Sequence, residues 1–194
     1  MMDRFEDSGR AQPGDIDLTS GFLPFDFSQG PRPLCLAFAV SSAHKIVRVC
    51  GTQYSPEALW YTCFQNGQTQ PGGTSVAAVA SAVGSAGQPL LEFWPYNPTL
   101  AHGTEHIPLV AQAEKWHSAT LTDIPLLRGG QANIEKALAE GTPVVVAIEL
   151  SEEFNFVAGN AIVAVPDSIP EPQGLHAILI VGASWDVDAG RTYR

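Results

Sequence analysis

The sequence predicts an α+β fold in which helices come first and strands follow. Helices are predicted from Pro33 to Val49, from Ser55 to Phe64 and from Ser75 to Ser85. The later segments PVVVAIEL and HAILIVGA are short, rich in β-branched residues and bounded by turn residues, which is typical of buried strands. This order favours two halves, one helical and one built on a sheet, that meet at a cleft.

The three early helices each carry local signals. The first run, PLCLAFAVSSAHKIVRV, is apolar on most faces, which predicts a helix buried on nearly all sides. Pro33 suits its first turn, where a missing N–H is harmless. Ser55 can cap the second helix, with Pro56 at the first helical position. Thr74 is predicted to cap the third helix, whose small residues allow close packing.

The rest of the chain divides into loops and shorter elements. The segment NGQTQPGG is predicted to be a loop, and the many prolines between Gln88 and Leu127 make long regular elements improbable there. A short helix is predicted from Gln131 to Glu140, ending at Gly141. Residues 1–30 are predicted to form an extended arm, followed by one domain over residues 31–194. Its helical lobe covers about 31–125 and its β lobe about 126–194.

Composition and charge narrow the classes of function. The 194 residues are 45% hydrophobic and 15% charged, with a net charge of −10, which argues against nucleic acid as a partner. No apolar run is long enough for a membrane span, and the polar opening lacks a secretory signal. We therefore expect a cytoplasmic protein with free thiols. A Cys50 to Cys63 bridge stays open if the chain is exported by a route that the sequence does not show.

Cys35 is the most informative single residue. It lies in the first turn of the predicted helix, where unsatisfied backbone N–H groups and the positive end of the helix dipole favour a thiolate, the nucleophilic form. The alternative is a small core residue among apolar neighbours, which is the commoner fate of a free cysteine.

Gln29 and His176 add to this interpretation. Gln29 stands six residues before Cys35 in a turn-prone run, so its amide and the Cys35 N–H can converge on a developing oxyanion. His176 heads the second apolar strand, 141 residues after Cys35. Alone, Gln29 would be an ordinary surface glutamine and His176 a structural histidine. The other histidines are interpreted as surface or packing residues: His44, His102, His106 and His117.

Several stretches resemble the papain-like (C1) cysteine peptidases. FSQGPRPLCLAFAVSSAHK is similar to their active-site segment, and YSPEALWY to the segment that opens the next helix. PGGTS and EFWPYN resemble the Gly-Gly substrate loop and the aromatic-Pro-Tyr turn. LAEGTPVVVAIEL and GLHAILIVGA resemble the first strands of the second lobe and the catalytic-histidine strand. The segments keep the family's order over about residues 20–185.

The resemblance implies a two-lobed papain-like fold, with a long central helix in the helical lobe and a β lobe that is incomplete at the C-terminus. It also implies a peptidase that acts on peptide or protein substrates. Cys35 would attack the scissile carbonyl, His176 would act as base and acid, and Gln29 would hold the oxyanion. The implied substrate-binding residues are Gly72, Gly73, Thr74, Ser75, Ala147 and Ala177.

The chain also departs from the family pattern. The signature Cys-Gly-Ser/Ala-Cys-Trp/Tyr is replaced by Arg32-Pro33-Leu34-Cys35-Leu36, which removes one disulfide and one aromatic ring and narrows the approach to the sulfur. No asparagine follows His176, whereas the family has one in an Asn-Ser-Trp motif. We expect a truncated chain, processing after Arg194, or a partner chain or downstream segment that completes the β lobe.

Two other functions remain open. The same Cys-His pair serves an amidase, deamidase or acyltransferase, and an inactive papain-like module could keep the cleft to bind peptides or a partner. No cofactor is expected, and the histidines and cysteines do not show the spacing of metal ligands.

Overall fold

The computed structural model describes residues 14–19, 28–100, 106–125, 130–151, 154, 174–186 and 190–194. Most of the predicted arm and His102 lie outside the described residues. The helices are α1 (Cys35–Val47), α2 (Pro56–Gln65), α3 (Val76–Ser85), α4 (Leu109–Ala113) and α5 (Gly130–Ala139). The strands are β1 (Ile16–Asp17), β2 (Thr69–Gln70), β3 (Gly73–Thr74), β4 (Val144–Glu149), β5 (Leu175–Ile180), β6 (Gly182–Asp186) and β7 (Gly190–Tyr193).

Helix α1 is the centre of the helical half, as its apolar sequence predicts. It packs against α2, α3 and the pair of strands β4 and β5. The surrounding core cluster takes residues from all three helices and also Ala177 of β5. Because the apolar face of α1 is wide enough to contact helices and strands at once, it joins the two halves of the molecule.

The predicted cap of α2 is confirmed, and that of α3 is wrong. Ser55 is buried and its Oγ accepts a hydrogen bond from Ala58 N at 3.3 Å, with Pro56 at the first helical position. For α3 the cap is Ser75, whose Oγ accepts from Ala78 N at 3.2 Å. Thr74 instead belongs to β3, and its hydroxyl donates to Gln68 O at 2.8 Å. The predicted loop NGQTQPGG therefore contains a small hairpin, β2–β3, which fixes Thr74.

The strands form separate antiparallel pairs and sheets. β4 pairs with β5, with Ile148 opposite His176 and Ala147 opposite Ala177. Both predicted strands are present, but they are less buried than predicted. Ala147 and Glu149 are exposed, because one face of the pair is only partly covered. A second sheet has the order β1-β6-β7, so part of the N-terminal arm is a strand of the sheet half.

A second apolar cluster supports the sheet half. Leu138 of α5 packs with Val144 of β4, Ile180 of β5 and Ala183 of β6. Along β5, Ile180 therefore faces this cluster while Ala177 faces the cluster around α1, as the alternation of side chains in a strand requires. The pair β4–β5 is thus sandwiched between α1 and α5.

The structure describes all three cysteines of the chain. Cys35, Cys50 and Cys63 are all free thiols. Burial raises the pKa of Cys63. In the described part of the chain, no helix combines the length and the apolar character needed to cross a membrane.

His44 is a buried histidine on the far part of α1. Its ring stacks on Tyr54, with centroids 4.0 Å apart, and within the described residues neither ring nitrogen has a hydrogen-bond partner. Burial, helped by the nearby charges of Arg48 and His117, lowers the pKa of His44 to about 4. The folded state therefore holds this imidazole in its neutral form.

This geometry predicts acid sensitivity. An unfolded histidine has a pKa of about 6.5, so on acidification the unfolded chain takes up the proton first. Above about pH 6.5 neutral His44 makes its full contribution to the free energy of unfolding. As the pH falls towards 4 this contribution, on the order of 3 kcal/mol, is lost. Urea unfolding at about pH 7.5 and about pH 5 measures the part of this loss that falls between those two pH values, about 2 kcal/mol. His44→Phe keeps the ring stack and should lose less stability on acidification; an equal loss in both proteins would contradict the assignment.

Candidate active site

Cys35 is the first residue of α1. Leu34 is the N-cap residue and makes no side-chain cap, and the helical ladder begins with Phe38 N donating to Leu34 O at 3.0 Å. The first N–H groups, including that of Cys35, therefore have no acceptor within the helix. Cys35 is partly exposed, whereas Leu34 and Leu36 on either side are buried. The sulfur thus lies at the point where a buried helix meets the surface.

Leu34 does not narrow the approach to the sulfur, contrary to the sequence prediction. Its side chain is completely buried in the core cluster around α1. Because α1 is buried on several sides, the residue just before it also lies inside the core. Of the two residues before Cys35, only Pro33 is partly exposed.

Gln29 is fixed at two points. Its Nε2 donates to Arg32 O at 2.6 Å, and its backbone O accepts from the Tyr96 hydroxyl at 2.6 Å. Leu34 N also donates to Arg32 O, at 2.9 Å. The side-chain amide of Gln29 and the backbone just before Cys35 thus share one acceptor. An amide carries two N–H donors, and only one is used in this contact.

His176 is the second residue of β5, the strand on which α1 packs. Its neighbour Ala177 belongs to the core cluster against which Cys35 also packs. The ring of His176 is partly buried and lies 5.9 Å from the ring of Phe154, measured between centroids. Desolvation lowers the pKa of His176 below its ordinary value. Within the described residues, no hydrogen bond joins the Cys35 sulfur to this ring.

The hairpin β2–β3 lies beside the turn that precedes Cys35. Gly73 has a φ of +134°, and a Cβ built on it would lie 3.3 Å from Pro33 O. Gly72, at the tip, is exposed, and nothing lies within 4 Å of its Cβ position. Lack of a side chain at Gly73 therefore allows the hairpin backbone to lie close to the turn that precedes Cys35.

The small residues proposed for a pocket are distributed over two elements. Thr74 and Ser75 follow the hairpin, where Thr74 is partly exposed and Ser75 is exposed. Ala147 and Ala177 face each other across β4–β5 on the side that meets α1. Ala177 is buried in that contact and Ala147 is exposed.

A buried ion pair was missed by the sequence prediction. Arg32 Nη1 lies 2.6 Å from Glu57 Oε2, and the two side chains are 3% and 0% exposed. The only sequence signal was the presence of two charges inside apolar segments. The partners stand 25 residues apart on different elements, so no spacing rule links them.

The part of the chain that the structure describes contains no assembled set of metal ligands. Among those residues, no three His, Cys, Asp or Glu side chains group closely enough to hold an ion.

No family model and no curated protein matches the sequence. Xylellain, a cysteine protease from Xylella fastidiosa, is 20% identical with a TM-score of 0.63, over 94% of this chain and 80% of that one. The cysteine protease Amb a 11 from ragweed pollen, in its proform, is 19% identical with a TM-score of 0.74, over 96% of this chain and 56% of that one.

A third similar structure is digestive procathepsin L 3 from the larval midgut of Tenebrio molitor. It is 17% identical with a TM-score of 0.70, over 98% of this chain and 67% of that one. The chain thus has the papain-like α+β fold, which confirms the fold class predicted from the sequence.

The close approach of the hairpin predicts a stability difference between adjacent glycines. Gly73→Ala introduces a Cβ at a strained φ and 3.3 Å from Pro33 O, and should cost about 1–3 kcal/mol of unfolding free energy. Gly72→Ala is the matched control, with nothing within 4 Å, and should stay within about 0.5 kcal/mol of wild type. Urea unfolding measures both. Equal effects at the two positions would contradict the close approach.

Proposed function

We propose that the chain is a papain-like cysteine peptidase that hydrolyses peptide bonds through a thioester acyl-enzyme. Cys35 is the nucleophile, His176 the general base and acid, and Gln29 an oxyanion donor. The observation that carries the proposal is that Cys35 opens the helix that packs on β5, whose second residue is His176. The helix that begins with the thiol thus packs on the strand that carries the imidazole, next to Ala177 of the core cluster around α1.

The proposed reaction has two steps. His176 takes the proton of the Cys35 thiol, the sulfur attacks the scissile carbonyl, and the amine leaves with that proton. Water then attacks the thioester, with His176 again as base, and releases the carboxylate and the free thiol. The second N–H of Gln29 and the Cys35 N–H donate to the tetrahedral oxyanion in both steps.

The environment of His176 suits a base. Because desolvation lowers its pKa, the ring stays neutral, and able to accept a proton, at lower pH than a free histidine. A base within hydrogen-bond reach of the sulfur is required for the first step. Such contacts are often long in unliganded enzymes and tighten when substrate binds, so the missing Cys35 to His176 bond is compatible with catalysis.

The substrate is proposed to be an extended peptide segment. The backbone at exposed Gly72 and half-buried Gly73 would supply N–H and C=O groups that pair with such a chain. Thr74, Ser75, Ala147 and Ala177 are small, which leaves room beside them for an apolar substrate side chain. In this proposal residues 31–125 form the helical lobe and 126–194 the β lobe, with the cleft between them.

A second candidate is an inactive peptide-binding module with the same fold. The absence of a hydrogen bond between Cys35 and His176 within the described residues favours it. Transfer of the acyl group to an acceptor other than water is a third possible outcome of the same chemistry, as in an amidase or acyltransferase. Both make different predictions in the experiment below.

Substitution of the thiol tests the proposal. Cys35→Ala should reduce cleavage of a peptide library to background, a loss on the order of 10³-fold or more, because the proposed acyl-enzyme forms on the Cys35 sulfur. His176→Ala should have a similar effect. Mass spectrometry of the products distinguishes hydrolysis from acyl transfer. Labelling with a thiol-directed epoxide should occur at Cys35 in the wild type only.

Cys50→Ala is the matched control, because Cys50 is also a partly buried free thiol but lies beyond the other end of α1. It should keep wild-type cleavage and labelling. Cleavage that survives Cys35→Ala would reject the peptidase assignment. A folded wild-type protein that neither cleaves nor reacts with the epoxide, yet binds peptides, would establish the binding module instead.

A further inference from the structure

A connected group of buried and partly buried polar side chains lies next to the turn that precedes Cys35. Its members are Arg32, Glu57 and Tyr96. We propose that these three are positioning residues that fix Gln29 in the orientation needed to donate to the oxyanion. The catalytic consequence rests on the proposed function, whereas the fixing of Gln29 can be measured without it.

The ion pair is the rigid part of this group. Arg32 and Glu57 make two parallel hydrogen bonds, Nη1 to Oε2 at 2.6 Å and Nη2 to Oε1 at 2.9 Å. Nη1 also donates to Asn97 O at 2.8 Å, and Asn97 N donates to Glu57 Oε2 at 3.4 Å. The pair therefore links three segments: the turn before α1, the first turn of α2, and the segment that carries Tyr96.

Buried ion pairs add little net stability, because desolvation of both charges offsets their attraction. A bidentate pair instead fixes the relative orientation of its two side chains, since the planar guanidinium fits a carboxylate in one geometry only. Apolar side chains of similar volume would fill the space between Arg32 and Glu57 without setting the orientation of anything nearby. Orientation is therefore the property to test.

Tyr96 carries that orientation to Gln29. The guanidinium of Arg32 lies over the Tyr96 ring, 5.1 Å from its centroid, and Phe38 of α1 packs edge-on against the same ring at 4.8 Å. With the ring held on two sides, its hydroxyl donates to Gln29 O at 2.6 Å. Burial raises the pKa of Tyr96, so the hydroxyl keeps its proton and remains a donor.

The side chain of Gln29 closes the arrangement. Its Nε2 donates to the backbone O of Arg32, the residue whose side chain is held by Glu57. Gln29 is thus held at its backbone carbonyl by Tyr96 and at its amide by Arg32. With one N–H of the amide engaged, the direction of the other N–H is fixed by the planarity of the group.

The first experiment measures the Gln29 amide directly by NMR, with glutamine side chains labelled with ¹⁵N. Disappearance of one signal pair in Gln29→Ala assigns the resonance. In wild type its two protons should be well separated and protected from exchange with water. In Tyr96→Phe, which removes only the hydroxyl, they should move towards the shifts of exposed glutamines and exchange at least several-fold faster.

A second variant tests the ion pair and keeps the fold. Single substitutions would leave a buried unpaired charge, so Arg32→Met and Glu57→Leu are combined to replace the pair by apolar side chains. This double variant should fold, yet change the Gln29 signals as Tyr96→Phe does. Tyr61→Phe is the control: Tyr61 is a partly buried tyrosine of α2 whose ring contacts Trp94, and its variant should leave the Gln29 signals as in wild type.

The second readout is a double-mutant cycle on peptide hydrolysis. Tyr96→Phe should lower kcat about tenfold with KM nearly unchanged, a smaller loss than the 10²–10³-fold typical of removing an oxyanion donor. In a Gln29→Ala background the same substitution should cause almost no further loss, because Tyr96 acts through Gln29. Tyr61→Phe should keep the wild-type kcat.

The outcomes separate this proposal from the proposed function. Gln29 signals that are unchanged in both Tyr96→Phe and the apolar double variant would overturn the positioning role. So would fully additive losses in the cycle, since Tyr96 would then act independently of Gln29. A wild-type protein with no Cys35-dependent hydrolysis would reject the peptidase assignment, and the NMR measurement would still decide whether the group fixes Gln29.

Discussion

The packing of α1 against β5 is the contact on which the rest of the structure depends. The helix is buried by α2 and α3 on one side and by the strand pair on the other, and Ala177 is the point where the sheet half enters the helical core. Each large apolar side chain buried in such a contact contributes about 1.5–3 kcal/mol.

The same contact determines where chemistry can occur. A buried helix must begin somewhere, and its first N–H groups have no acceptor within the helix. In this chain that beginning is Cys35, partly exposed between two buried leucines. The strand that packs on the helix carries His176 next to Ala177, and burial lowers the pKa of this histidine. The proposed nucleophile and the proposed base thus belong to two elements that core packing joins.

Polar groups buried near this junction have a different function from the apolar core. Arg32 and Glu57 connect the turn before α1 to the start of α2, although their net contribution to stability is small. Gly73 permits the hairpin backbone to lie against Pro33 O, where any side chain would be in close contact. In the same region Gln29 is held at its side chain by Arg32 O and at its backbone by the Tyr96 hydroxyl.

The sequence by itself determined the features that depend on neighbours within a turn or two. The apolar run after Pro33 predicted α1, the Ser55 and Pro56 pair predicted the start of α2, and the β-branched runs predicted β4 and β5. The ordered motifs also predicted the papain-like fold, since each motif is a local pattern. These signals are local because caps, helical periodicity and strand alternation all arise from short-range geometry.

Only the tertiary structure decided the features that depend on distant segments. Thr74 is a strand residue of the β2–β3 hairpin, and Ser75 is therefore the cap of α3. The pairing of β1 with β6 brought part of the arm into the sheet half, across more than half of the chain. The Arg32 to Glu57 pair formed across two elements. Such contacts depend on how segments cross in space, and a single sequence does not encode this in its spacing.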